Sequence, residues 1–126
     1  MVTIDPTAIT DLVTMDGFEG RYLEAGTWTV GFETFQTDED PAPLFVGLPD
    51  DACQCQHLGY VIEGSLTYTY ADGRSETIEA GQAYVVQPGH LPVFHAGSRI
   101  VEFSPTEQFA ATVAVIEANL HALAQS

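Results

Sequence analysis

Cys53-Gln54-Cys55-Gln56-His57-Leu58-Gly59-Tyr60-Val61-Ile62-Glu63-Gly64 runs on into Ser65-Leu66-Thr67-Tyr68-Thr69-Tyr70, Asp72-Gly73 and Ser75-Glu76-Thr77-Ile78-Glu79. Two runs that alternate polar and apolar residues flank an Asp-Gly pair, which supplies the positive φ angles that a tight hairpin turn demands. The stretch therefore predicts an antiparallel hairpin.

Downstream, Gly81-Gln82-Ala83-Tyr84-Val85-Val86-Gln87-Pro88-Gly89-His90 repeats the same logic: a turn, a short apolar strand and a Pro-Gly turn. Ile100-Val101-Glu102-Phe103 closes the region. Upstream, Tyr22-Leu23-Glu24 and Thr27 to Phe35 read as strands, with Trp28, Val30, Phe32 and Phe35 nearly alternating with polar residues. Many short strands joined by close turns indicate a sandwich or barrel. Asp5-Pro6 opens a short helical turn carrying Ile9, Leu12 and Val13. At the other end, Phe109, Val113, Ile116, Leu120 and Leu123 step at helical spacing, with Ser104-Pro105-Thr106-Glu107 as cap, first-turn proline and capping-box acid. The reading is all-β, one domain over 1–126, with a barrel core about 20–104 and a C-terminal α-helix about 105–124 of about four turns.

Composition bounds the partners. The chain of 126 residues carries 18 acidic side chains against three arginines (Arg21, Arg74, Arg99) and no lysine, a formal charge of -15. Such a surface repels phosphate backbones and anionic headgroups, so neither nucleic acid nor membrane is an expected partner. No stretch approaches the roughly 20 apolar residues of a spanning helix. The start, Met1 to Pro6, has neither a basic region nor an apolar run, so a cytoplasmic protein with reduced thiols is expected.

The runs Tyr60-Val61-Ile62-Glu63-Gly64-Ser65-Leu66 and Ala80-Gly81-Gln82-Ala83-Tyr84-Val85-Val86-Gln87-Pro88-Gly89-His90 resemble the two motifs of the cupin family, in order, spacing and turn chemistry, over roughly residues 44 to 104. The resemblance implies a cupin double-stranded β-helix, or jelly-roll, barrel. It also implies a divalent metal held inside by histidines and a glutamate. Here the pattern departs: His57 takes the place of the glutamate, Cys53 and Cys55 replace the histidine pair, and the usual histidine position past the Pro-Gly turn is Pro92.

On a strand, residues 53, 55 and 57 project to one face, so two thiols and an imidazole converge. His90 keeps the parity of the missing histidine, whereas His95 has the opposite one unless Pro92 introduces a bulge. The expected ligands are Cys53, Cys55, His57 and His90. Two sulfur and two nitrogen donors suit a divalent transition metal, zinc first, with copper or iron as alternatives. Against this stands the bland reading, in which cysteines are buried as small hydrophobes and histidines are satisfied core residues. Trp28, Tyr60, Tyr68, Tyr70 and Phe94 are candidates for a pocket wall, though aromatics in small barrels belong first to the core. Glu63 and Glu102 are expected to face solvent; either turned inward would be a candidate acid or base. His121 is expected at the surface.

Three functions fit this sequence. One is a metal-dependent enzyme acting on a small organic molecule, in the manner of dioxygenases, isomerases or decarboxylases of the family. Another is a non-catalytic sensor for a small molecule or a metal. The third is a metal-free cupin whose thiols respond to oxidation, marked by a Cys55 of depressed pKa. A homodimer, with the helix's apolar side across a two-fold axis, is the expected assembly.

Overall fold

The computed structural model describes residues 2–125; Met1, with which the reading of the N-terminus begins, and Ser126 lie outside. A 3-10 turn over Pro6–Ala8, capped by Asp5 through Thr7 N at 2.9 Å, is followed by nine strands. These are β1 (Leu12–Met15), β2 (Phe18–Ala25), β3 (Trp28–Phe35), β4 (His57–Glu63), β5 (Ser65–Tyr70), β6 (Ser75–Glu79), β7 (Ala83–Val86), β8 (His90–Phe94) and β9 (Ser98–Pro105). Helix α1 covers Thr106–Ala124.

The strands form two antiparallel sheets, ordered β1-β2-β3-β9-β4-β7 and β6-β5-β8. Consecutive strands β4 and β5 sit in different sheets, as do β6 and β7, and β8 and β9. This crossing from sheet to sheet is the jelly-roll arrangement. The expected hairpin is present: Thr69 pairs with Ser75 and Ser65 with Glu79, and Gly73 takes a φ of 90° in the connecting turn. Between the sheets, Phe35, Val61, Leu66, Tyr68, Ile78, Tyr84, Val86 and Ile100 make the main core. A second cluster of Phe45, Cys53 and Cys55 lies under α1, covered by Leu48, Leu91, Phe109 and Ile116.

Three local expectations are corrected. Leu12 and Val13 belong to β1, paired with Arg21 and Gly20, and not to a helical turn. Their three-and-four spacing from Ile9 mimics a helix, but a strand partner wins. Secondly, β9 runs on through Pro105, so Ser104 is a buried strand residue and caps nothing; α1 starts without a side-chain cap. Thirdly, Glu102 points inward, because β9 buries Ser98, Ile100, Glu102 and Ser104 and turns Arg99 and Phe103 outward. The apolar Val101 and Phe103 thus lie on the outer face, which reverses the usual meaning of alternation. Glu63 is exposed, as expected. So is His121, which shares a 3.2 Å contact with Gln125.

Candidate metal centre

The site is built by a backbone bridge. Cys53 pairs with His90, its N–H donating to His90 O at 2.8 Å while Gly89 N–H donates to Cys53 O at 2.8 Å. Directly paired residues carry their Cβ atoms about 5 Å apart, so the thiol and the imidazole share one face. Four residues on, His57 opens β4 opposite Val86 and projects into the same interior. Among the described residues, Cys53 Sγ and a ring nitrogen from each of His57 and His90 all lie within 4.8 Å of one another, and all three residues are buried. Cys53 Sγ lies 3.6 Å from His57 Nε2. Tetrahedral zinc, with bonds of about 2.0 Å to nitrogen and 2.3 Å to sulfur, sets such donors on the order of 3.5 Å apart.

On His90 the proton can be placed by elimination. His90 Nδ1 lies 2.6 Å from Gln87 O, and a carbonyl only accepts, so Nδ1 carries the hydrogen and Nε2 a free lone pair. That Nε2 is fully buried and has no hydrogen-bond partner. An orphaned buried nitrogen costs about 1–3 kcal/mol unless something binds it. His57 Nδ1 sits 2.7 Å from Ser104 Oγ, which orients the ring with Nε2 facing Cys53. Burial pushes both imidazoles down to about 4, so both are neutral near pH 7 and ready to ligate. The same burial pushes the Cys53 thiol up to about 11, where only a bound cation would hold it as thiolate.

The sequence brought four residues to this site; the structure brings three into the set. Cys55 is fully buried beside them, but its Sγ donates to Gln56 O at 3.4 Å and sits in the apolar cluster under α1. His95 is also outside the set, 3.0 Å from Thr67 Oγ1. Burial pushes Cys55 up to about 12, the opposite of the depressed pKa that an oxidation-sensing thiol needs.

Next to the three lies a carboxyl that the sequence led us to expect at the surface. Glu102 Oε1 accepts from Tyr68 Oη at 2.5 Å and Tyr84 Oη at 3.0 Å, and lies 3.9 Å from His57 Nδ1. Its carboxyl shares a hydrogen bond with that of Glu33, which in turn accepts from Tyr22 Oη at 2.7 Å. Burial, and then the charge of Glu102, push Glu33 up to about 8; burial raises Glu102 as well. The pair therefore holds a proton at neutral pH. Three glycines make room for the tyrosines: a Cβ on Gly59 would stand 2.3 Å from the Tyr84 ring, one on Gly20 would stand 2.6 Å from Tyr22 and one on Gly31 2.8 Å from it. The signal available in the sequence was parity, since Gly31 pairs with both Tyr22 and Glu102.

Of the aromatic pocket candidates, Tyr68 and Tyr70 line a cavity of about 500 Å³ between β6 and β7. Phe94 stacks on Phe35 in the core, with ring centroids 4.0 Å apart, while Trp28 and Tyr60 face outward.

No family model matches the chain, and no curated protein matches it in sequence. Solved structures do. The polyketide cyclase RemF from Streptomyces resistomycificus is 15% identical, with 84% of this chain and 80% of that one covered and a TM-score of 0.58. An RmlC-like cupin from Shewanella frigidimarina is 19% identical, over 76% of this chain and 84% of that one, with a TM-score of 0.53. Iron(II)-bound HppE is 13% identical, over 82% of this chain and 60% of that one, with a TM-score of 0.56. The chain has the cupin fold, and it carries a possible metal site of Cys53, His57 and His90 inside it.

Proposed function

We propose that the protein is a metal-binding cupin whose Cys53, His57 and His90 hold a transition metal, and which binds or acts on a small organic molecule in the barrel interior. The observation that carries this reading is His90 Nε2, a buried, unpartnered nitrogen of an imidazole that converges with a thiol and a second neutral imidazole. One sulfur and two nitrogens suit zinc first; copper and iron accept the same donors, and the iron(II) of HppE lends iron some weight. Three protein ligands leave a coordination position for water or substrate, the arrangement of catalytic and not of structural zinc. A metal bound there would act as a Lewis acid, polarising a ligand oxygen or acidifying a water. Around it, Ser104 and Gln87 orient the imidazoles, and Glu102 stands ready to exchange a proton with a bound molecule. A sensor would use the same site without turnover.

Elemental analysis of tag-free protein tests the reading. About one equivalent of zinc, copper or iron per chain is expected, and no metal after reconstitution under reducing conditions would overturn it.

Buried, unpaired thiols suit a reducing compartment, which supports a cytoplasmic location. Among the described residues no helix is long and apolar enough to cross a membrane. The homodimer, expected across α1, finds better support on the outer face of the six-stranded sheet. There Leu23, Val85 and Phe103 are 37%, 60% and 38% exposed, with Tyr60 beside them at 44%. Cross-strand pairing of Leu58 with both Val85 and Phe103 sets these side chains on one face, whereas α1 already turns Phe109 and Ile116 inward. The dimer should sediment as such, and Val85→Glu with Phe103→Glu should give a folded monomer. Loss of the dimer on α1 substitutions alone would return the interface to the helix.

A further inference from the structure

A coordination position that takes water or substrate needs a route to it, and the three ligands here are closed off. His90, Cys53 and His57 are 1%, 3% and 7% exposed. Neither the cavity of about 500 Å³ nor a second one of about 280 Å³ is lined by any of them. What lies over the thiols is α1. Phe109 and Ile116 pack on the cluster of Phe45, Cys53 and Cys55, and the Phe109 ring also leans on Tyr22 of β2, with centroids 5.8 Å apart. Thr112 is the one buried residue of the helix, and its hydroxyl meets the Cys53 thiol. The cover is lightly held. It is anchored where it leaves β9: Thr106 N–H donates to Thr27 O at 2.9 Å, and Thr106 Oγ1 lies 2.9 Å from Thr29 Oγ1. Close by, Gln108 Oε1 accepts from Gln56 N–H at 3.1 Å, between Cys55 and His57 in sequence. The far half is tied by Asn119, whose Nδ2 donates to Leu44 O at 2.7 Å and to Val46 O at 2.9 Å, at the 3-10 turn Ala42–Phe45.

We propose that α1 is a hinged lid over the metal centre, turning where β9 hands over to the helix at Pro105 and Thr106 and latched shut by Asn119 on the carbonyls of Leu44 and Val46. Metal and small molecule pass when the latch lets go. The inference rests on the reading above for what enters, while the lid itself is a property of the chain with or without metal. The junction suits a hinge, because Pro105 is the last residue of β9, its ring fixes φ, and no side-chain cap holds the first turn of α1. Rotation about that end keeps the Thr106 bonds and breaks those of Gln108 and Asn119, together with the contacts of Phe109, Thr112 and Ile116. Cys53 and Cys55 then lose their cover. The sheets stay closed, since the main core between them contains no residue of α1. An element with little burial that can leave without disturbing the core is one that opens locally.

The two thiols under the helix report its opening in metal-free protein. N-ethylmaleimide, which is neutral and so indifferent to the acidic surface, should label Cys53 and Cys55 through a local opening, at a rate that depends weakly on urea; labelling through global unfolding would carry the full dependence. Asn119→Ala should raise the rate about tenfold, the effect of two lost hydrogen bonds. Alanine strengthens the helix itself, so the gain cannot come from a weaker helix. Hydrogen exchange is the second readout. An undocked helix of this length frays in water, so the amides of α1 should exchange faster in the variant while those of β3, β4 and β9 keep their rates. Labelling that follows global unfolding in the native protein overturns the proposal. So does labelling unchanged by Asn119→Ala, and so does exchange that rises in β4 and β9 as much as in α1. If the variant does not fold by circular dichroism, the urea dependence of labelling and the exchange of α1 against the sheets in the native protein decide. On zinc-loaded samples, uptake and EDTA-driven release should both quicken in Asn119→Ala by a like factor, with affinity unchanged within a few-fold, since Asn119 is outside the ligand set. Zinc bound with labelling that follows global unfolding sinks the lid and leaves the metal centre standing; local labelling without zinc uptake does the reverse.

Discussion

Replacing His90 by alanine is expected to weaken zinc binding at least 100-fold while leaving the barrel folded. The imidazole supplies one of three converging donors, with its other nitrogen anchored on Gln87 O, and no further donor joins the set among the described residues. Cys53→Ser and His57→Ala should have effects of similar size. Ser104→Ala, which frees the His57 ring, should cost about 10–100-fold, the range for partners that orient ligands. Cys55→Ser discriminates between the ligand set inferred from sequence and the one assembled in the fold. Its effect on zinc should stay within a few-fold, since its sulfur lies outside the cluster, and its cost should fall on stability through a polar atom in the apolar contact under α1. The proton count provides a second check. Both histidines are neutral well above pH 4 and the thiol is protonated up to about 11, so each zinc should release one proton. The logarithm of affinity should then rise with pH at a slope near one between pH 5 and 8. A slope near two, or equal losses in Cys55→Ser and Cys53→Ser, would restore Cys55 as a ligand.

What the sequence made legible was what depends on local chemistry. The Asp72-Gly73 hairpin and the Pro88-Gly89 turn are written in turn residues, and each appears where those residues stand. The Cys53, His57 and His90 convergence was readable because alternation carries 53 and 57 to one face and the turn returns His90 beside them. Alternation carries Cys55 inward too, but burial is not orientation, and its sulfur ends against a backbone carbonyl. The larger misreading, of orientation, has a different cause. Glu102 lies between Val101 and Phe103, and on a strand with one wet face the apolar neighbours would go inside. They lie outside here, on a sheet face left bare in the single chain, while the interior takes a carboxyl that Tyr68 and Tyr84 satisfy, with Glu33 beside it. A functional interior and an apolar outer face invert the pattern that sequence reading relies on. Ser104 was misassigned for a related reason: Ser-Pro-Thr-Glu carries the signature of a helix cap, and only the extension of β9 to Pro105 turns the hydroxyl toward His57.

Glu33→Gln is expected to stabilise the fold at pH 8 and to do almost nothing at pH 4.5. Glutamine keeps the shape of the protonated acid, accepting from Tyr22 with one atom and donating to Glu102 with the other. In the native chain the folded pKa, about 8, stands above the ordinary value of 4.5. The folded state thus binds more protons than the unfolded one between those limits, and stability falls as pH rises through the window. The contribution is whole below pH 4.5 and gone above pH 8. The two histidines act in the opposite sense, since their folded values near 4 lie below 6.5 and their contribution is lost as pH falls from 6.5 toward 4. The effects offset each other between 4.5 and 6.5, which leaves the interval from 6.5 to 8 as the clean measure of the carboxyl pair. Glu33 keeps a side open to the smaller cavity, so solvent softens the penalty to about 1–3 kcal/mol, or about 3–10 °C in Tm at pH 8. Thermal melts of metal-free native protein and variant at half-unit steps would trace two curves that diverge with rising pH. Parallel curves would mean that no proton is shared between Glu33 and Glu102, and would leave Glu102 to carry its charge inside the barrel on the tyrosine hydroxyls alone.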